Sequence, residues 1–159
     1  MNLSELDNKS EVSDFQVQQL EELVSKLFQC CQERMQYQSD RFGLPDAELR
    51  CLMLFEQERY LTPKSIAHKL NVVKSRVTSI VNKLLDKKYI QKIQDPGDSR
   101  ITLVSTTIDG NRKISEIREF QNYIFIQVLN QMAPEQRKAM MTNLNLLKAS
   151  MEAIKELMV

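Results

Sequence analysis

The chain has 159 residues, 42% of them hydrophobic and 27% charged, with a formal net charge of +1 and only 3 Gly and 4 Pro. This length predicts a single domain over residues 1–159. So few turn-forming residues exclude a sandwich or barrel and favour a mainly α-helical fold. The N-terminus lacks a signal peptide, and no apolar stretch approaches the roughly 20 residues that span a bilayer. We therefore expect a cytoplasmic protein without a membrane partner.

Residues that could carry catalysis or hold a metal are scarce. His68 is the only histidine, the three cysteines form no C-x-x-C pair, and the glycine-rich motifs that cradle nucleotides are absent. In a cytosolic protein, an odd number of cysteines also argues against a disulfide framework. The sequence therefore predicts no enzymatic activity, no metal site and no cofactor.

Two helices are predicted after a polar lead-in of about 14 residues. Apolar residues at helical spacing predict the first helix from Phe15 to about Asp40. Its apolar stripe consists of Leu20, Leu23, Val24, Leu27, Cys31 and Met35. Gly43 is expected to end this helix, and Pro45 suits the first turn of the next one, which runs to about Glu56.

A helix-turn-helix is predicted next. Thr62 and Pro63 combine an N-cap with a first-turn proline, and Asn71 can adopt the left-handed backbone of a tight turn. The following helix, from about Lys74 to Lys87, has one apolar side and one polar side rich in hydrogen-bonding groups. The apolar side holds Val77, Ile80, Val81, Leu84 and Leu85. Two short helices of this kind are typical of a DNA-reading unit.

A β-hairpin is predicted directly after this helix. Tyr89–Gln94 and Ile101–Ser105 alternate like strands, and Asp95–Arg100 between them is a strong turn signal that carries charge at its tip. A hairpin in this place is a wing. Residues 44–106 are therefore predicted to form a winged helix-turn-helix that binds DNA.

The rest of the chain is predicted to be helical, from about Asp109 to Met132 and again from Pro134 onward. Apolar residues of the last helix alternate by 4 and 3, which is typical of helices that pack on a partner. They are Met140, Leu144, Leu147, Met151, Ile154 and Met158. A two-fold homodimer is the simplest way to bury these apolar residues, so we interpret residues 15–40 and 109–158 as dimerisation helices.

The charge is unevenly distributed along the chain. Between Thr62 and Gln94, eight basic residues accompany Asp86 as the one acidic residue, so this segment carries +7 and the rest of the chain −6. A compact basic patch on an otherwise acidic protein is typical of a surface that binds a polyanion.

These segments resemble the MarR family of bacterial transcriptional regulators. The resemblance rests on Leu44-Pro45, the helix-turn-helix from Thr62 to Leu84, the wing tip Asp98-Ser99-Arg100 and Thr107-Ile108-Asp109-Gly110. It implies a homodimer with two winged-helix lobes that read successive half-sites of a pseudo-palindromic operator in double-stranded DNA. Two positions depart from the family pattern. Thr106 replaces the leucine of L-T-x-x-G, and the glycine before the first wing strand is replaced by Lys88 or Tyr89.

The candidate DNA contacts lie in the helix-turn-helix and the wing. Arg76 is the best candidate for a base contact, because its guanidinium matches the paired acceptors of guanine. The other helix-turn-helix candidates are Thr62, Lys69, Lys74, Ser75, Thr78, Ser79 and Lys83, of which the lysines are expected on phosphates. Arg100 resembles the family arginine that enters the minor groove, with Asp98 as the partner that orients it. The alternative for the helix residues is that they form a solvated helix face. The alternative for Asp98 and Arg100 is an ordinary surface ion pair.

The regulatory signal has two candidates in the sequence. The resemblance implies a repressor released by a small molecule, and Tyr37, Arg41, Phe42, Arg50 and Met53 are where a small aromatic or carboxylate effector would bind. The same side chains could serve packing and surface alone.

The alternative signal is oxidation of Cys30, the cysteine we expect to be exposed. Cys31 lies on the apolar stripe and Cys51 lies within a helix, so burial is expected to make them inert. A reading of a different class, a winged-helix module that binds another protein, also stays open.

Overall fold

The computed structural model describes residues 11–158, except for the side chain of Leu157, and most of the predicted polar lead-in lies outside these residues. Helices dominate, and one small antiparallel hairpin is present. In chain order the elements are α1 (Asp14–Phe42), α2 (Asp46–Met53), α3 (Pro63–Leu70), α4 (Lys74–Asp86), β1 (Ile90–Gln94), β2 (Thr102–Thr106), α5 (Ile108–Asn130) and α6 (Pro134–Lys155), with short 3-10 turns at Leu54–Glu56 and Glu156–Met158. The chain divides after Gly110 into two compact units. The predicted mainly helical fold with a hairpin wing is confirmed.

The ends of α1 follow from local side-chain chemistry. The Ser13 hydroxyl accepts from the Gln16 N–H at 3.3 Å, and the Gln16 side chain accepts from the Ser13 N–H at 3.0 Å. This reciprocal capping satisfies two N–H groups that the first turn leaves without partners. At the other end Gly43 has φ 62, the left-handed conformation that glycine adopts without penalty.

The predicted helix-turn-helix is present as α3 and α4. The Thr62 hydroxyl accepts from the Ser65 N–H at 3.1 Å to cap α3, and Pro63 occupies its first turn. Asn71 ends α3 at φ 54, the left-handed conformation that asparagine tolerates better than most residues.

The core of the first unit lies between α2, α3, α4 and the hairpin. From α4, the side chains of Val77, Ile80, Val81 and Leu84 are buried as predicted, whereas Leu85 is only half-buried. Full burial of one such aliphatic side chain stabilises the fold by about 1.5–3 kcal/mol. These apolar contacts hold α4 with its opposite side facing solvent.

The wing is joined to the start of α3 by a pairing that the sequence did not indicate. β1 and β2 pair in register from Ile90 opposite Thr106 to Gln94 opposite Thr102. Leu61 adds a bridge to β2, with its N–H 3.0 Å from the Val104 carbonyl oxygen and its carbonyl oxygen 2.8 Å from the Val104 N–H. The wing and the helix-turn-helix therefore share one hydrogen-bonded frame.

The backbone at the base of the wing adopts a left-handed conformation at one of the positions that depart from the family pattern. Lys88 has φ 61, so Lys88 and not Tyr89 occupies the left-handed position at which the resemblance implies a glycine. The Thr107 hydroxyl donates to the Lys88 carbonyl oxygen at 2.6 Å and accepts from the Gly110 N–H at 3.0 Å. A Cβ on Gly110 would lie 1.9 Å from the Tyr89 carbonyl oxygen, so only glycine fits there.

The second unit contains the rest of α5 and all of α6. Arg137 caps the C-terminal end of α5, because its Nε donates to the carbonyl oxygens of Leu129 at 2.8 Å and Met132 at 3.1 Å. Pro134 begins α6, and the Gln136 side chain accepts from the Ala133 N–H at 2.8 Å. The turn between the two helices is therefore fixed by side chains from α6.

Long apolar faces of this chain are exposed to solvent. On α1 they include Phe15, Leu20, Leu23, Leu27 and Phe28, and on α6 they include Leu144, Met151 and Ile154. The expectation that Cys31 is buried is wrong for the single chain, because the side of α1 that carries it is exposed. Within residues 11–158, no helix has the combination of length and hydropathy needed to cross a membrane.

Candidate nucleic-acid interface

The solvent-facing side of α4 carries short polar side chains along its centre. Ser75, Ser79 and Asn82 are separated by four and three residues, so they form one line opposite the buried side, and all three are exposed. Thr78 is also exposed, and its hydroxyl donates to the Lys74 carbonyl oxygen at 3.2 Å, which leaves the oxygen free to accept. Asn82 was not among the predicted contacts, although an amide side chain on this line could pair with adenine.

Basic side chains flank this polar line. Arg76 and Lys83 are seven residues apart on one flank, and Lys74 lies on the other flank at the start of the helix. The side chains of Arg76 and Lys74 are exposed and make no ion pair with any residue of the described range 11–158. Both are therefore available to an external anion.

The basic residues of the predicted patch differ in availability. Lys69 pairs with Glu58 at 3.0 Å, and both Lys83 and Lys87 pair with Glu48. Those without an ion pair to residues 11–158 are Lys64, Lys74, Arg76, Lys88 and Lys92. Lys69 and Lys83, which the sequence placed on phosphates, are thus partly neutralised within the chain.

Thr62 caps the N-terminus of α3, and this role competes with its predicted contact to DNA. Its hydroxyl accepts from the Ser65 N–H and donates to the Ser65 hydroxyl, with the two oxygens 3.2 Å apart, and the residue is half-buried. Capping of α3 therefore accounts for Thr62 by itself.

The wing tip presents one exposed arginine held by a carboxylate. Arg100 donates to Asp98 twice from its guanidinium, with Nε 3.1 Å from Oδ1 and a terminal nitrogen 3.1 Å from Oδ2, and its side chain is 89% exposed. The side-chain and backbone hydrogen bonds from Arg100 lower the pKa of Asp98 below its usual value. Asp95 fixes the turn by accepting from the Gly97 N–H at 2.7 Å. The predicted pairing of Asp98 with Arg100 is present.

The five candidate effector residues lie near the C-terminal end of α1 and on α2. The Arg41 guanidinium lies 5.8 Å from the centre of the Phe42 ring, and Arg50 lies 4.0 Å from Asp46. Tyr37 is exposed and Met53 half-buried. A cleft of about 690 Å³ opens on another side of α1 and is lined by Gln32, Met35, Gln36, Ser39, Asp40, Gly43, Leu44, Pro45 and Asp46, with none of the five among them.

The cysteines fall into two environments. Cys30 and Cys31 are exposed on α1, whereas Cys51 is fully buried on α2. Burial, with a smaller contribution from the Glu48 carboxylate, raises the pKa of the Cys51 thiol to about 12. Cys51 is therefore a protonated, unreactive thiol at physiological pH, as predicted.

The sequence is similar to those of known transcriptional regulators. A family model described as MarR family matches residues 44–102. The HTH-type transcriptional repressor MdtR of Bacillus subtilis (strain 168) is 26% identical over 113 residues, which are 71% of this chain and 73% of that protein.

Solved structures agree with the fold. A mutant of MepR from S. aureus superposes with a TM-score of 0.76 at 18% identity, covering 82% of this chain and 97% of that one. FabT of Streptococcus pneumoniae in complex with DNA superposes with a TM-score of 0.74 at 19% identity, covering 87% of this chain and 99% of that one. The resemblance seen in the sequence is confirmed: residues 44–102, which contain the helix-turn-helix and the first strand of the wing, match the family model described as MarR family.

Proposed function

We propose that this protein binds a specific sequence in double-stranded DNA, with α4 in the major groove and the wing in the adjacent minor groove. The observation that carries the proposal is the solvent-facing side of α4. Ser75, Ser79 and Asn82 form a hydrogen-bonding line there. The cations Lys74 and Arg76, which make no ion pair within residues 11–158, flank it.

The dimensions and chemistry of α4 suit this role. A helix about 10–12 Å wide with side chains fits a major groove about 12 Å wide. Arg76 would read a guanine edge through two hydrogen bonds, while Ser75 and Ser79 could reach bases or phosphates. The exposed guanidinium of Arg100 would enter the minor groove, where the negative potential is strongest.

Relatives support the same function by analogy. The solved structure of FabT is a complex with DNA, and a further structure with the same fold is a complex of S. aureus MepR with DNA. MdtR is named a repressor. Repression is therefore the mode of regulation that we propose for this chain.

A homodimer would account for the exposed apolar faces. α6 carries the predicted seam, with Leu144, Met151 and Ile154 exposed, and α1 exposes a second apolar face that includes Leu23 and Leu27. Burial of such area releases about 25 cal/mol per Å². A two-fold dimer would also present two copies of α4 to successive major grooves, roughly 34 Å apart.

Release by an effector would act on the spacing of the two lobes. A small aromatic or carboxylate molecule that binds one spacing more tightly would shift the population away from the DNA-competent one. The candidate residues remain Tyr37, Arg41, Phe42, Arg50 and Met53. Oxidation of the exposed Cys30 is the alternative signal.

Selection of bound sequences from a random duplex pool tests the proposal. We expect a pseudo-palindromic operator whose binding weakens steeply as salt is raised, because phosphate neutralisation releases counterions. A winged-helix module that binds only proteins would give neither enrichment nor a salt-dependent shift of duplex DNA. That result would contradict the proposed function.

A further inference from the structure

A buried carboxylate lies beneath the last turn of α4. The side chain of Glu48 on α2 is 3% exposed, and its neighbours Leu49, Cys51 and Leu52 are all buried. A charge in such surroundings is costly unless it is paired and hydrogen-bonded. An apolar side chain of similar size would fill the same place without that cost, so packing alone does not account for Glu48.

Both partners of Glu48 come from the C-terminal end of α4. Lys87 Nζ donates to Glu48 Oε2, and Lys83 Nζ lies 3.9 Å from Oε1. Each lysine keeps part of its side chain in solvent while the carboxylate does not. This contact is directional, whereas the apolar contacts that hold the rest of α4 are not. Glu48 therefore adds a directional constraint on the rotation of α4 to the apolar contacts that hold its buried side.

Lys83 and Lys87, the two partners of Glu48, lie on the same side of α4 as Arg76, the candidate base-reading residue. Arg76, Lys83 and Lys87 are separated by seven and four residues, which places them in one row along the helix. A rotation of α4 by about 20° would move side-chain atoms at a radius of about 5–6 Å by about 2 Å. That shift exceeds the tolerance of a hydrogen bond. A rotation of α4 that displaced Lys87 from Glu48 would therefore also change where Arg76 points.

We propose that Glu48 is a positioning residue that fixes the rotation of α4 and thereby sets the base specificity of the DNA-binding face. This inference rests on the proposed function. The same contact occupies Lys83 and Lys87, which would otherwise be free to approach phosphates. Glu48 therefore favours discrimination between sequences over total affinity.

The substitution Glu48→Gln tests this inference because it keeps the shape of the side chain and removes its charge. We expect the ratio of Kd for random duplex to Kd for the selected operator to fall about tenfold, the discrimination that one good base contact provides. Random-duplex binding should strengthen, and the slope of log K against log salt should steepen by about 0.9 for each lysine released onto a phosphate. A loss of structure alone would instead weaken binding to both duplexes.

Two further variants separate position from charge. Lys87→Gln should lower the same ratio without steepening the salt slope, since the lysine is gone. Glu58→Gln is the matched control, because Glu58 pairs with Lys69 at the surface at 3.0 Å. It should strengthen random-duplex binding and leave the ratio unchanged.

The outcomes distinguish the inference from the function on which it rests. Thermal melting of each variant shows whether it is folded, and if Glu48→Gln is not, Lys87→Gln decides, because its side chain lies at the partly exposed rim. An unchanged ratio in the folded variants, with the wild type still selecting its operator, overturns the inference alone. A wild type that binds no duplex overturns the proposed function and the inference together.

Discussion

Replacement of Lys88 by glycine should stabilise the protein without removing any side-chain contact seen in the structure. Lys88 has φ 61, and its side chain makes no ion pair with residues 11–158. A side chain in the left-handed conformation crowds the following carbonyl oxygen and costs about 1–2 kcal/mol. Glycine has no Cβ and avoids this cost.

The gain can be worked out from opposing contributions. Glycine removes the steric cost of about 1–2 kcal/mol but loses about 0.5–1 kcal/mol more backbone freedom on folding than other residues. The net increase in the free energy of unfolding therefore lies between about 0 and 1.5 kcal/mol and is about 0.75 kcal/mol at the midpoints of the two ranges. In a protein of 159 residues, each kcal/mol moves Tm by about 2–4 °C, so the midpoint gain should raise Tm by about 1.5–3 °C.

Urea unfolding followed by circular dichroism would measure this effect. Lys88→Ala is the matched control, because it removes the same charge but keeps a Cβ in the left-handed conformation. Asn71→Gly is a second control with a smaller expected gain, since Asn71 has φ 54 and asparagine tolerates that conformation. A Lys88→Gly protein no more stable than Lys88→Ala would refute the reasoning.

Four other predictions follow from the contacts described above. Gly110→Ala should lower the free energy of unfolding by about 1–3 kcal/mol, because its Cβ would meet the Tyr89 carbonyl oxygen at 1.9 Å; unchanged urea midpoints would contradict this. Arg100→Ala should weaken operator binding with little change in Tm, and an unaltered gel-shift affinity would remove the wing contact from the proposal. The thiol of Cys51 should resist alkylation at pH 8 in the folded protein. Because folding raises its pKa from 9.0 to about 12, its contribution to stability is complete below pH 9 and should be lost as pH rises through about 12, which urea unfolding at increasing pH would measure. If Cys30 senses oxidants, peroxide should weaken operator binding by the wild type but not by Cys30→Ser, and equal responses would exclude this signal.

Features set by neighbouring residues were predictable from the sequence. The start of α3 at Thr62, its end at Asn71 and the end of α1 at Gly43 all depend on capping within a few residues. The buried side of α4 follows from the 3.6-residue period, because any helix that packs on a core must place its apolar residues on one side. The exposed side of α4, with Ser75 and Ser79, follows from the same period.

Features that depend on distant partners were not predictable. The bridge from Leu61 to Val104 joins residues far apart in sequence, and no local pattern at either residue indicates it. Asn82 is a different case: the period of α4 alone places it beside Ser79 on the outer side, but it was not predicted as a contact. Cys31 was expected inside because its place on an apolar stripe does not reveal whether anything within the chain covers that stripe.

The basic patch also has features that the sequence determines and features that depend on tertiary packing. The sequence alone determined that residues 62–94 carry +7 and that they form a helix-turn-helix with the start of a wing, because charge and local propensity are properties of the residues themselves. Only the tertiary structure decided which of those charges are available. Glu48 on α2 and Glu58 before α3 approach Lys83, Lys87 and Lys69 once the elements pack, so these lysines are engaged while Arg76 and Lys74 face solvent. Ion pairing depends on distances that packing sets, and the linear order of residues does not contain those distances.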